Sequence, residues 1–209
     1  MTVETWWLFF GAVFLLCGTP GPNMLHVMTR SVEFGVRRSI AAMAGCMVAL
    51  VLVLSASAGG LTALLMALPG VFELLRYAGA AYLLYLGVQA WRADVAPIDV
   101  GEDKLPSNTS AAKLFRGGFV IGISNPKLLL FAAAFLPQFV SANAPKAPQF
   151  AILVLTFAAA ELFWYAVYGV AGGSLSRHLR KPALKHAFNK VTGTIFVGFG
   201  AMLLRVRPV

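Results

Sequence analysis

The chain has 209 residues, 59% apolar and only 12% charged, with a mean hydropathy of +0.78. Soluble domains run about 45–50% apolar and 25% charged, so these figures exclude a water-coated globule, and the apolar content excludes disorder. The formal net charge of +9 forms no basic face; Lys and Arg sit mainly in short gaps between apolar runs, which points to a bilayer and away from nucleic acid.

The apolar runs fall at about 4–28, 39–64, 72–91, 115–140, 148–173 and 188–205. A helix needs about 20 apolar residues to cross a bilayer. The pattern therefore predicts an all-α polytopic membrane protein with six transmembrane helices. The first run follows Glu4 and no basic residue, unlike the basic start of a secretory signal, so it is read as a retained span. Cys17 and Cys46 both lie inside runs and build neither a disulfide framework nor a zinc site. Pro69 and Gly70, followed by Glu73 and Arg76, mark the turn between the second and third spans. Glu73 and Arg76 are spaced to pair at the helix entrance.

The basic residues set an orientation. Arg30, Arg37 and Arg38 follow span one; Arg92, Lys104, Lys113 and Arg116 follow span three; Arg177, Arg180, Lys181, Lys185 and Lys190 follow span five. The opposite side carries Arg76, Lys146, Arg205 and Arg207. The excess places the odd-numbered loops in the cytoplasm and both termini outside. Trp6, Trp7, Tyr77 and Trp91 stand near span ends, where amphipathic rings prefer the interface. The stretch 93–112, with four acidic residues and two prolines, is the only polar linker. The expected organisation is one membrane domain over 1–209: a first repeat 1–92, a cytoplasmic linker 93–114 and a second repeat 115–209. The Asn108-Thr109-Ser110 sequon falls in the cytoplasmic loop and is discounted.

The two halves resemble each other. Gly79, Tyr82, Tyr85 and Gly87 of span three have the spacing of Gly193, Phe196, Phe199 and Ala201 of span six. Gly59-Gly60 near the end of span two matches Gly172-Gly173 near the end of span five, and prolines break spans one and four. Three spans per half oblige the second half to enter the membrane in the opposite sense. The expected fold is thus two inverted three-helix repeats with broken helices 1 and 4, an arrangement common among secondary transporters.

In span one, Gly18-Thr19-Pro20-Gly21-Pro22-Asn23 interrupts the helix. Pro20 and Pro22 lack N–H groups and abandon the carbonyls of Leu16 and Gly18. Such backbone must face protein or a wet cavity, so the segment is a candidate substrate site with Thr19 and Asn23 as polar contacts. Span four carries Ser124-Asn125-Pro126-Lys127, and Pro126 frees the carbonyl of Gly122. Lys127 lies near the midplane, where a charge costs on the order of 3 kcal/mol. Glu161 lies at matched depth in span five. An ion pair between them is the simplest structural reading; binding of charged substrate groups or proton relay is the functional one. His26 stands one turn after the first break and is a titratable candidate or a packing residue. Gly118–Gly122 and Gly169–Gly173 have the spacing of close helix contacts.

Thr19-Pro20-Gly21-Pro22, Asn125-Pro126-Lys127 and Phe135-Leu136-Pro137-Gln138-Phe139 resemble the LysE-type translocator superfamily. Gly79-Ala80-Ala81-Tyr82-Leu83, with Leu86-Gly87 through Trp91-Arg92, resembles its RhtB branch, which exports homoserine, threonine and related amino acids. The resemblance spans essentially the whole chain. It implies an exporter of amino acids or derivatives such as homoserine, threonine, leucine or lysine in the bacterial inner membrane, driven by the proton gradient, with no cofactor. The translocation residues would be Thr19, Pro20, Gly21, Pro22, Asn23, Asn125, Pro126, Lys127 and Glu161. The carbonyls at the breaks would receive the substrate ammonium and Lys127 its carboxylate, with Glu161 as counter-ion or proton carrier. Partners would be the amino acid, protons and the bilayer; a homo-oligomer is compatible. Cadmium-type cation efflux is a rival, weakened by the scarcity of thiolates. A passive channel is a second. A membrane-embedded enzyme is disfavoured by the single deep acid and the lack of a His cluster.

Overall fold

A computed structural model describes residues 1–67, 105–141, 144–179 and 182–205, together with residues 77, 80, 81, 84, 85, 87–89, 91 and 92. All regular structure among the described residues is helical. The turn at Pro69 and Gly70, the Glu73–Arg76 pair, residues 93–104 of the linker, and Gly79 and Tyr82 of the repeat lie outside them.

Helix α1 (Val3–Gly18) starts on the side chain of Thr2, which accepts from Thr5 N, with Glu4 in its first turn. It stops at Thr19 because Pro20 and, after Gly21, Pro22 supply no helical N–H. Pro22, whose fixed φ suits a first helical position, opens α2 (Pro22–Phe34). The two axes differ by 49°. The break expected in span one is therefore a change of direction. Gly35, with φ of 76°, turns α2 into α3 (Val36–Ala67), a backbone shape that glycine adopts without strain.

Ser110 caps α4 (Ala111–Ile123) by accepting from Lys113 N. The loop before it is held by Arg38, which donates to Ser107 O at 2.8 Å and Thr109 O at 2.7 Å. After the second break comes short α5 (Pro126–Leu130), a wide π-type turn at Phe131–Phe135 and a 3₁₀ turn at Leu136–Phe139. Ser57 Oγ donates to Ala132 O in the wide turn. The chain ends in α6 (Lys146–Leu179) and α7 (Pro182–Arg205).

Among the described residues two helices are long and apolar enough to span a bilayer, over Val36–Gly60 and Lys146–Gly172, or three if the bent α1–α2 pair is one span. Their outer faces carry exposed Leu52, Leu155, Leu162 and Val170, which suits lipid and not water. Helix α2 runs past the expected span end at 28, and α6 past 173. Both extensions are polar: Arg30 and Glu33 pair across one turn of α2. Backbone hydrogen bonding carries a helix beyond the hydrocarbon when its side chains can meet water.

The packing is built on fixed registers. Helices α1 and α6 run parallel with an offset of 150 residues: Trp6 Nε1 donates to Thr156 Oγ1, Trp164 Nε1 to Phe14 O and Tyr168 OH to Gly18 O. Helices α3 and α4 also run parallel, in contact through Ala42, Gly45, Cys46 and Ala49 on one side and Phe115, Gly118 and Gly122 on the other. A Cβ at Gly118 would lie 2.1 Å from Ala42 O, and one at Gly45 2.0 Å from Phe115 O. The glycines singled out by spacing at 118 and 122 thus sit in a backbone-to-backbone contact. The described helical residues between 80 and 92 run antiparallel to α7, with Gly87 against Gly193 and Ala80 against Gly200. On the N-terminal side of the first break, Phe9, Phe131, Phe135, Phe139 and Phe157 form a continuous aromatic cluster with ring centroids 4.6–6.1 Å apart.

Candidate functional site

The two breaks meet. Asn125, 1% exposed, caps α5 by accepting from Lys127 N at 3.0 Å. This fixes Lys127 in the first turn of α5, with its side chain reaching across to the other break. Its Nζ donates to Leu16 O at 3.0 Å and Thr19 O at 3.2 Å, and lies 3.5 Å from Thr19 Oγ1. Gly21 leaves the room for it: a Cβ there would stand 3.2 Å from Nζ and 3.3 Å from Cε. An ammonium at the C-terminal end of α1 also complements that helix's dipole.

The carbonyls freed by proline are all taken by protein. Leu16 O accepts from Thr19 N, from Thr19 Oγ1 at 2.6 Å and from Lys127. Gly18 O accepts from Tyr168 OH at 2.9 Å. Gly122 O accepts from Asn125 N at 3.2 Å. Expectation made these oxygens the open acceptors for a substrate ammonium; in this structure protein donors, some from the same turn and some from other helices, satisfy them.

Glu161 lies 3% exposed on α6. Asn23, in the first turn of α2 and 2% exposed, points Nδ2 at Glu161 Oε1 at 3.4 Å and at Tyr165 OH at 3.3 Å. The thiol of Cys17 and the hydroxyl of Tyr165 also face the carboxylate. Asn23 Oδ1 is buried without a hydrogen-bond partner. Among the described residues Glu161 has no ion pair.

The Lys127–Glu161 pair suggested by matched depth is therefore absent. The physical reason is the break itself. A severed helix exposes a negative end on α1 and a positive end on α2; the lysine goes to the first and the carboxylate beside the second. Depth fixed how far along the membrane each charge lies, but not the direction it faces.

Thr19, Gly21, Asn23, Asn125, Lys127 and Glu161 converge as a group, and Pro20, Pro22 and Pro126 shape the backbone that lets them. Expectation missed Trp164, Tyr165 and Tyr168, which stand three, four and seven residues after Glu161 on the same helical face. That spacing was the available signal. The Trp164 indole fills the space over Gly18, where a Cβ would lie 2.7 Å from Cζ2. His26 is set apart from the Glu161 group: its Nε2 is buried without a partner and lies 3.7 Å from where a Gly117 Cβ would be. No group of three metal-binding side chains exists among the described residues.

Helices with apolar outer faces, broken where a half-buried lysine and a buried carboxylate gather, have the character of a membrane transporter. The chain belongs to the LysE type translocator family, whose model matches residues 11–207. It is 32% identical over 207 residues to the homoserine/homoserine lactone efflux protein of Salmonella typhimurium, covering 99% of both chains, and equally so to that of Salmonella typhi. It is 29% identical over 203 residues to an uncharacterized membrane protein of Vibrio cholerae, covering 97% of this chain and 98% of the relative. No solved structure gives a significant match.

Proposed function

We propose that this translocator exports amino acids or close derivatives, homoserine foremost, across the bacterial inner membrane at the expense of the proton gradient. The observation that carries the reading is the buried Glu161 carboxylate, held by Asn23 at the start of a broken helix and without a cationic partner among the described residues. A charge this deep is costly and marks substrate or proton paths. The two Salmonella relatives, similar over nearly their whole length, are named for homoserine and homoserine lactone efflux.

The proposed architecture is six spans in two inverted repeats, 1–92 and 115–209, with the termini outside. Packing supports it. A twofold axis in the membrane plane exchanges span one with four and two with five. It converts the parallel α1–α6 contact into the parallel α4–α3 contact and requires spans three and six to be antiparallel. The registers described above have this pattern. Alternating access would then rock one half against the other around the junction of the two breaks.

The test is uptake of labelled homoserine into everted membrane vesicles from cells producing the protein. Uptake should follow an imposed proton gradient and stop when an uncoupler collapses it. Gradient-independent equilibration would indicate a passive channel. Uptake of cadmium and of no amino acid would indicate the cation-efflux alternative.

A further inference from the structure

We infer that Asn23 and Glu161 form a receptor for a primary ammonium group, and that recognition there requires no carboxylate on the ligand. Three features of the geometry carry this. First, Asn23 Oδ1 is an acceptor without a donor in a residue 2% exposed. A buried acceptor without a donor is unfavourable, so the site is incomplete as it stands. Second, the adjoining Glu161 carboxylate has no Lys or Arg partner among the described residues. A carboxylate next to an orphan amide oxygen offers acceptors and negative charge, which is what R–NH3⁺ needs and what a carboxylate ligand would be repelled by. Third, the one cation at the junction among the described residues is already committed: the Lys127 ammonium has three N–H bonds, and three oxygens stand within 3.5 Å of Nζ. A ligand carboxylate would have to displace the Thr19 hydroxyl or a carbonyl of the break to reach it.

Lys127 is thus a pin that holds the first break to the second, and the ligand is selected by its ammonium end. The transport consequence rests on the exporter reading above: amines, esters and lactones of amino acids are carried as well as the free acids, and N-acylated ones are not.

The experiment uses the full-length protein in detergent and two fragments of homoserine. 3-Aminopropan-1-ol keeps the ammonium and hydroxyl and lacks the carboxylate; 4-hydroxybutanoate keeps the carboxylate and hydroxyl and lacks the ammonium. Thermal stability is titrated with each. The amine should raise the melting temperature at concentrations at least about tenfold below those at which the acid acts, the ratio expected for one unmatched charge contact. Its effect should disappear in Glu161→Gln and weaken in Asn23→Ala, which removes Oδ1 without touching charge. Stabilisation by the acid alone, by both equally, or by neither overturns the inference, and these outcomes are read on the unmodified protein, whatever the folding of the variants. An amine effect unchanged in a folded variant overturns it too. The two readings fail separately. Amine binding without homoserine export sinks the exporter reading and leaves the ammonium receptor. Homoserine export without amine binding does the reverse.

Discussion

Replacing Lys127 with methionine separates a pin from an ion-pair partner. The substitution keeps most of the side-chain volume and removes the ammonium. Two short bonds are lost, to Leu16 O and Thr19 O. Polar contacts between membrane helices average about 0.6 kcal/mol and reach about 1.7, so the pair is worth about 1–3 kcal/mol. Leu16 O keeps two donors from Thr19, which holds the loss toward the lower part of that range. If Lys127 instead neutralised Glu161, its removal would strand a buried carboxylate and cost about 3–5 kcal/mol, and Glu161→Gln would restore most of it. The assay is a double-mutant cycle on thermal or denaturant stability in detergent, using Lys127→Met, Glu161→Gln and the double variant. The geometry predicts a coupling below about 1 kcal/mol, because the two charges answer different ends of the broken helix. A double variant markedly more stable than Lys127→Met alone would refute the separation of the two charges.

Tyr168→Phe strands Gly18 O, whose helical donor is replaced by Pro22, and should cost about 1–3 kcal/mol; Trp164→Phe removes a donor from Phe14 O and should cost less, both read from melting temperatures. Gly118→Ala forces a Cβ against Ala42 O at 2.1 Å and should destabilise by about 1–3 kcal/mol or more. Gly59→Ala, with nothing within 4 Å, should be neutral or stabilising by up to about 1 kcal/mol. Equal stability of these two variants would refute the backbone contact between α3 and α4. Reporter fusions after residues 35, 100 and 182 should read cytoplasmic and one at the C-terminus external; a cytoplasmic C-terminus overturns the six-span topology.

The breaks were legible in the sequence because proline chemistry is local: a missing N–H at 20, 22 and 126 interrupts a helix whatever surrounds it. The fate of the freed carbonyls was also local, yet harder to read. Thr19 and Asn125, which satisfy Leu16 O and Gly122 O, stand beside the prolines, but one bond depends on the rotamer of the Thr19 hydroxyl and the other is made by the Asn125 backbone N–H, which no residue pattern announces. Tyr168 and Lys127 reach their carbonyls from other helices, and hydropathy gives depth without azimuth. Azimuth could be inferred only where a helix carries a polar row, as α6 does at 161, 165 and 168. The wide turn at Phe131–Phe135 holds no proline or glycine of its own, but Pro137 after it leaves Ala133 O without its helical donor. Its phenylalanines pack against Phe9 and Phe157, a tertiary contact the sequence does not announce.

The two breaks are built alike and closed differently, which bears on how such a junction could move. The second is closed from within: Asn125 supplies both the backbone N–H for Gly122 O and the cap of the following helix. It needs nothing from the other half and travels as a unit. The first is closed by loans, a lysine from α5 and a tyrosine from α6. Any rocking of the second half against the first must break those loans, exposing Gly18 O and Thr19 O while the Leu16 carbonyl stays satisfied by Thr19. A buried carbonyl without a donor is expensive, so the moving state needs a replacement donor at the first break. Water can provide it if the break then faces an aqueous cavity, and a bound ammonium can provide it from Asn23 and Glu161 one turn away. If the halves rock as proposed, the asymmetry ties their movement to wetting or occupation of the site, which is the condition an exporter must meet to avoid opening to both sides at once.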